Sequence, residues 1–245
     1  MTSADRPVPP VAPADGGTPA ADRAAPAPSA APHRTGEGFR TFLTLRTEGP
    51  KASAEAVAVV EAEVDAWIRD LDGFLSSRVH LALDGTAVVH SVAWRDELSA
   101  RNTYPAGLAA AVVDRLGSAA ALRTDLVGGT PSAGVLGPDA DRPPGLLCVA
   151  VRYVSGHEGA AAMADLLRGS GTWKRHFPGF VSATPYISPD GRTYVNYPQW
   201  LDREAFEAYM ADERNAAGQP DIGALEVAPP DIVLCTLVSE TVATG

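Results

Sequence analysis

The sequence has little of what a disulfide framework or a metal site requires. Its 245 residues include only two cysteines, Cys148 and Cys235, each inside an apolar run. Two cysteines are too few for a disulfide framework, and no metal-ligand spacing is present. We therefore predict that both are reduced core residues, as buried free cysteines usually are, and that the protein holds no metal.

Long apolar runs and a targeting segment are also missing. No stretch reaches the roughly 18 apolar residues that span a bilayer, and the N-terminal MTSADRPVPP has neither a basic start nor an apolar core. Positive charge is scarce as well: the formal net charge is −10, whereas binding to phosphate backbones requires a basic face. We predict a cytoplasmic protein that binds neither nucleic acid nor membranes.

Residues 1–38 lack the composition of a folded segment. They are rich in proline, alanine and small polar residues, and no aromatic residue precedes Phe39. Such a segment cannot bury enough apolar surface to offset the entropy of ordering it. We predict a disordered tail, and a plain solvated tail is favoured over a docking segment.

The strongest signal that is present is an internal repeat. At a shift of 106 residues the two halves coincide without a gap over roughly sixty residues. Phe42–Arg46 then falls on Cys148–Arg152. The same shift superimposes four further pairs, namely Trp67 on Trp173, Gly73 on Gly179, Asp84 on Asp190, and Trp94 on Trp200.

Each half predicts the same order of elements. Apolar, β-branched runs at 39–47 and 146–154 are typical of strands, and Ala-rich segments with helical spacing follow them. A hairpin is predicted next in each half, centred on Asp84-Gly85 and Asp190-Gly191, the residue pair that a type I′ turn favours. The last two elements of each half are a helix and a strand, expected at 95–116 and 121–127 and again at 201–215 and 231–239.

The order β-α-β-β-α-β is the ferredoxin-like motif, a four-stranded antiparallel sheet with both helices on one face. The other sheet face needs a cover, which two copies can supply to each other as an internal pseudo-dimer. We predict an α+β protein of two tandem ferredoxin-like domains, packed sheet to sheet as a dimeric α/β-barrel. The predicted domains span 39–128 and 146–245, with a linker at 129–145, and pairing of two chains into a homodimer stays open.

The segment from Gly179 to Tyr209 resembles the antibiotic biosynthesis monooxygenase family of the dimeric α/β-barrel superfamily. It contains a Gly-Phe pair, the Asp190-Gly191 turn, the sequence NYPQW and the helix REAFEAY. The resemblance covers both halves, so the chain looks like a tandem two-domain member. It implies an enzyme of antibiotic or secondary-metabolite biosynthesis.

The resemblance implies a cofactor-independent monooxygenase that oxidises a small aromatic polyketide, an anthrone-like phenol, to a quinone. The co-substrate is O2, and no metal, flavin or haem takes part. The chemistry is coherent, because a deprotonated anthrone can itself supply the first electron to O2. The protein then supplies a dry aromatic pocket, hydrogen bonds to the substrate oxygen and a route for protons.

Asn196 and Trp200 match the polar and aromatic residues of the family's pocket. Residues i and i+4 of a strand share a face, so both side chains can line one cavity. Asn196 is expected to bind a substrate oxygen, and Trp200 is expected to pack against the ring system. The bland alternative is a strand end followed by a core tryptophan. The family's catalytic tyrosine falls at Phe206, which lacks the hydroxyl, and Tyr209 could substitute for it or be a core aromatic.

Other residues of the second half complete the candidate site. His176 is the natural general base, because its pKa lies near the working pH, although a histidine at a helix end is often only a surface residue. Trp173 accompanies it. Tyr186 and Tyr194 lie on the hairpin strands and are expected to line the same cavity, and Arg152 is a candidate for the family's arginine.

The first half carries His90 where the second has Asn196, and it retains Trp94. It could hold a second site with a different polar group, but a degenerate copy that covers the sheet is favoured. Two other functions stay open for the whole chain. One is a polyketide cyclase that uses acid–base chemistry without O2, and the other is a non-catalytic ligand-binding protein of the same fold.

Overall fold

The computed structural model describes residues 36–101, 104–117 and 121–243, so most of the predicted tail lies outside the described residues. The first half contains β1 (Phe39–Thr47), α1 (Pro50–Ala66), β2 (Phe74–Ala82), β3 (Ala87–Trp94), α2 (Glu97–Ala100), α3 (Tyr104–Leu116) and β4 (Ala121–Pro131). The two-residue strand β5 (Val135–Leu136) follows. The second half contains β6 (Leu146–Val154), α4 (His157–Lys174), β7 (Phe180–Ile187), β8 (Thr193–Trp200), α5 (Arg203–Met210), α6 (Glu213–Leu225) and β9 (Glu226–Val242). None of the helices among these residues is long and apolar enough to cross a membrane.

The strands form one antiparallel sheet in the order β4-β1-β3-β2-β9-β6-β8-β7-β5. Two seams join the halves: β2 pairs with β9, and β4 pairs with β7. The second seam closes eight strands into a barrel, with four strands from each half. The predicted fold class, two ferredoxin-like units that form a dimeric α/β-barrel within one chain, is confirmed.

Each strand divides its side chains between the barrel interior and the helices outside. Along β8, Val195 and Tyr197 belong to the interior cluster, which also contains Phe42 from the first half. Tyr194 and Trp200 pack instead against the helices of the second half. This alternation places Asn196 on the helix-covered face, where the candidate site lies.

The repeat is offset by 107 residues in the first strands, and not by the predicted 106. Phe39 pairs with Trp94, and Leu146 pairs with Trp200. The extra residue lies in the first half, where Phe39 and Trp67 are 28 positions apart, whereas Leu146 and Trp173 are 27 apart. The predicted match of Phe42 to Cys148 is therefore wrong. Phe42 points into the barrel and corresponds to Val149, whereas Cys148 lies on the helix-covered face.

Both predicted hairpins are present, but their turns are not of type I′. That type needs a positive φ at both central residues, and only the glycines have one here, with φ of 69° at Gly85 and 68° at Gly191. The Asp84 carboxylate instead accepts a hydrogen bond from the backbone N–H of Thr86 at 2.9 Å. Asp190 accepts one from Arg192 in the same way.

Several elements extend beyond their predicted limits. The helix expected at 95–116 is divided into α2 and α3, and α6 runs on to Leu225 with Pro220 inside it. The strand β4 continues into the segment predicted as a linker. Its Gly129 lies so close to β7 that an added Cβ would meet the Ile187 backbone at 2.7 Å. The glycines there permit the close approach of strands that closes the barrel.

The end of the predicted tail is part of the folded core. Gly38 donates a backbone hydrogen bond to Trp94 at 3.0 Å. The side chain of Glu37 is fully buried and binds the guanidinium of Arg40 through two hydrogen bonds of 2.8 and 2.9 Å. The Arg40 guanidinium also lies over the ring of Tyr186 at 5.8 Å and donates to Ser91 at 3.3 Å.

We predict that Glu37→Ala lowers the free energy of unfolding by about 3 kcal/mol, because removing one partner of a buried ion pair leaves the other charge uncompensated. Urea unfolding followed by circular dichroism measures the change. Glu48→Ala, at an exposed position just after β1, is the matched control and is expected to shift stability by less than about 0.5 kcal/mol. Equal stabilities for the two variants would contradict the structural role of Glu37.

Candidate functional site

A pocket lies between α4 and the outer face of the second-half sheet. We call it the α4 pocket. Its polar wall carries Asn196 and Tyr194 from β8, and the connection between β4 and β5 covers it. The lining consists of Ser132, Ala133, Val135, Ala164, Leu167, Arg168, Ser170, Gly171, Lys174, Ala183, Pro185, Tyr194 and Asn196.

The α4 pocket is narrow behind an open mouth. The space between its lining atoms, counted out to the mouth, is about 470 Å³, but the cavity itself is only about 40 Å³. Gly171 lets β5 come close, because a Cβ there would meet Val135 at 3.0 Å. A ring system therefore enters only if the covering connection between β4 and β5 or the long side chain of Lys174 moves.

Two polar groups of β8 face the pocket without a partner. Asn196 is half-buried, and among the described residues no side chain or backbone group hydrogen-bonds its amide. Tyr194 is 1% exposed, and burial raises the pKa of its phenol above the ordinary value. The Tyr194 hydroxyl is therefore neutral at physiological pH and can donate a hydrogen bond.

Lys174 forms the inner end of the pocket and is not among the site residues predicted from the sequence. The side chain is buried, and its ammonium lies over three aromatic rings, at 4.7 Å from Tyr209, 4.8 Å from Phe180 and 5.4 Å from Trp200. No ion pair among the described residues includes it. Burial lowers the pKa of Lys174 to about 8.

Trp200 lies behind Lys174 in an aromatic cluster and does not line the α4 pocket. Its ring contacts Phe206 at 6.0 Å and Tyr209 at 4.8 Å, and Tyr209 stacks on Trp173 at 5.3 Å. The Trp200 indole N–H is buried and has no hydrogen-bond partner in the part of the chain that the structure describes. Asn196 and Trp200 share a sheet face as predicted, but only Asn196 reaches the cavity.

Three other predicted site residues lie outside the α4 pocket. His176 is exposed in the turn that follows α4. Arg152 lies on the helix-covered face of β6 and forms a partly buried ion pair with Glu226. Tyr186 points to the opposite face of the sheet, into the barrel, so it does not share a cavity with Tyr194.

The corresponding position in the first half is filled by side chains. His90 is fully buried; its Nε2 lies 2.8 Å from the Ser77 hydroxyl, and its ring packs against Tyr104 of α3 at 5.8 Å. Trp94 donates its indole N–H to Thr41 at 3.0 Å. At the 106-residue offset Lys174 corresponds to Ile68, which is 0% exposed.

A sequence signal for Lys174 did exist. It is one of only two lysines in the chain, the other being Lys51, and its repeat partner is an isoleucine. A lysine that replaces a core isoleucine in a repeat is a candidate for a buried charge, because lysine is almost never fully buried unless it is paired.

Comparisons with known proteins support the fold. No family model matches the chain. A stretch of 40 residues, 16% of the chain, is 55% identical to tetracenomycin-F1 monooxygenase of Streptomyces glaucescens and spans 36% of that protein. Among solved structures, an anthrone oxidase-like protein matches 85% of this chain and 94% of its own length with a TM-score of 0.70 at 18% identity.

A ferredoxin-fold protein of Listeria monocytogenes, described as related to antibiotic biosynthesis monooxygenases, matches 83% of this chain and 96% of its own length. Its TM-score is 0.51 and its identity 6%. The structure is thus a tandem ferredoxin-like fold with a pocket between helix and sheet. Its fold is similar to that of solved structures described as anthrone oxidase-like and as related to antibiotic biosynthesis monooxygenases.

The buried His90 makes stability depend on pH. Burial lowers its pKa to about 3 in the folded protein, against about 6.5 in an unfolded chain. Between these values the unfolded state binds more protons, so stability falls as the pH falls below 6.5. We predict that His90→Gln reduces the loss of unfolding free energy between pH 7 and pH 5 by about 2 kcal/mol.

Urea unfolding at both pH values measures this difference. His176→Gln is the matched control, because His176 is exposed, and it should show the pH dependence of the unmodified protein. If His90→Gln behaved like that control, His90 would be solvated in the folded state.

Proposed function

We propose that this protein is a cofactor-independent monooxygenase that oxidises an aromatic polyketide, an anthrone-like phenol, to a quinone with O2. The observation that carries the proposal is the α4 pocket, where the Asn196 amide and the Tyr194 hydroxyl are unpaired. Both groups line the pocket and make no hydrogen bond with the described residues, so a ligand can bind them by replacing solvent. The reaction class is supported by the 40-residue match to tetracenomycin-F1 monooxygenase.

The proposed reaction converts the CH2 of an anthrone ring into C=O, and the second oxygen atom of O2 leaves as water. The substrate first loses a proton, and its anion then supplies an electron to O2. In this scheme the Asn196 amide N–H and the Tyr194 O–H donate hydrogen bonds to the substrate oxygen. Donors placed where charge develops stabilise the transition state most strongly when water is excluded.

The proton has a route to solvent through the open mouth of the pocket. His176 is too exposed to act from inside the cavity, so we do not assign it the role of base. The aromatic cluster around Trp200 supports the inner wall without touching the ligand directly. Trp200 is therefore proposed as a positioning residue.

We predict that Asn196→Ala lowers kcat/KM for O2 uptake by 10- to 100-fold, and that Tyr194→Phe lowers it by about tenfold, because each loses one donor to the developing oxyanion. The measurement is O2 consumption by the metal-stripped protein with dithranol or emodin anthrone, above the spontaneous rate and with quinone formation. Trp200→Phe should lower kcat less than Asn196→Ala does.

Thr172→Ala is the matched control, because Thr172 lies on the exposed side of α4; it should keep full activity. Unchanged turnover in both Asn196→Ala and Tyr194→Phe would show that the reaction takes place elsewhere. Product formation without O2 uptake would identify a cyclase. Binding of the anthrone with no turnover would identify a ligand-binding protein.

A further inference from the structure

The α4 pocket is positively charged in a strongly acidic protein. Its lining contains two charged side chains, Arg168 and Lys174, and no carboxylate, although the chain as a whole carries a net charge of −10. Arg168 is exposed at the mouth and pairs with Asp165 at 2.5 Å. Lys174 is 8% exposed and lies at the inner end.

A buried ammonium without a counter-charge is costly, since even a relaxed protein environment leaves a desolvation penalty of several kcal/mol for each ion, by general estimates. The rings of Phe180, Trp200 and Tyr209 offset part of that cost through cation–π contact. They do not supply a negative charge. The remaining positive charge is compensated when an anion enters the pocket.

We propose that the α4 pocket binds its ligand as an oxyanion, a deprotonated phenol or enolate, which forms an ion pair with the ammonium of Lys174. The Asn196 amide and the Tyr194 hydroxyl, on the facing strand, are placed to donate hydrogen bonds to the same ligand. The identity of the ligand as an aromatic phenol rests on the proposed function. The preference for an anion rests on the charge of the pocket alone.

The proposal also assigns one such site to each chain. In the first half the position of Lys174 is occupied by the buried Ile68, and that of Asn196 by His90, whose ring Tyr104 covers. A first-half pocket therefore lacks both the cation and the open space. The two repeats have divided their roles, with the first as a structural partner and the second as the binding unit.

The groups around Lys174 do not provide a negative charge for its ammonium. The groups that interact with it electrostatically are Cys148 and Arg152 on β6, and its ammonium lies over the ring of Tyr209 on α5; Arg168 on α4 and Tyr194 on β8 line the same pocket. Burial raises the pKa of Cys148 to about 11 and that of Tyr209 to about 12, so neither is an anion at neutral pH. None of these groups supplies a counter-charge to Lys174, and the proposal assigns that role to the ligand.

The test uses 1,8-dihydroxyanthraquinone, a probe with no CH2 to oxidise, whose visible absorption shifts to longer wavelength when a phenol ionises. We expect the protein to lower the pKa of the bound probe by at least one unit, and Lys174→Met to abolish that shift and weaken binding of the anion at least tenfold. Lys174→Arg should restore part of the shift. Lys51→Met, at the only other lysine and an exposed one, is the matched control and should behave as the unmodified protein.

An unshifted probe pKa in the unmodified protein, no binding of the probe, or an equal shift in Lys174→Met would overturn the proposal. Two bound probes per chain would overturn the single-site assignment. If Lys174→Met does not fold, the pKa of Lys174 can be measured by NMR of the unmodified protein with labelled lysine. The spectrum is simple because the chain contains only two lysines. The Lys174 signal alone should then titrate at higher pH with the probe bound, and an unchanged titration would count against the ion pair.

This experiment separates the two proposals. A shifted probe pKa without anthrone-dependent O2 uptake would keep the anion site and exclude the oxygenase. O2 uptake that depends on Asn196, together with an unshifted probe, would keep the oxygenase and exclude the anion site.

Discussion

The closure of the barrel is the constraint on which the rest of the structure depends. Each half has one sheet face without helices, and that face is buried only because β2 pairs with β9 and β4 pairs with β7. The second seam is short and needs the backbone of Gly129 against Ile187. Once the interior is closed, the other sheet face is left to the helices, and the α4 pocket forms between helix and sheet.

Duplication lets one repeat preserve the architecture while the other departs from it. The first half fills the space under its helices with Tyr104, Leu108 and Val112, all fully buried. The second half places Lys174 and Asn196 at the equivalents of Ile68 and His90. A buried cation and unpaired polar groups destabilise a fold, and a tightly packed partner repeat helps the chain to tolerate that cost at one site.

The sequence by itself determined the repeat, the order of strands and helices in each half, and the presence of the two hairpins. These features depend on local periodicity, turn residues and the spacing of the tryptophans, which are all visible along the chain. The shared face of Asn196 and Trp200 also followed from the two-residue period of a strand. The resemblance pointed to the half of the chain where the pocket lies.

Only the tertiary structure decided which of these side chains meet. The first half has one residue more between its first strand and Trp67 than the second half has before Trp173, so the first strands are offset by 107, and a one-residue slip exchanges the two faces of a strand. Within the second hairpin, Tyr186 pairs with Val195 and enters the barrel, while the neighbouring Tyr194 lines the pocket. Trp200 is separated from the cavity by Lys174, whose position depends on helix packing. Local sequence fixes the period of each element, but burial and partners are set by contacts between residues far apart in the chain.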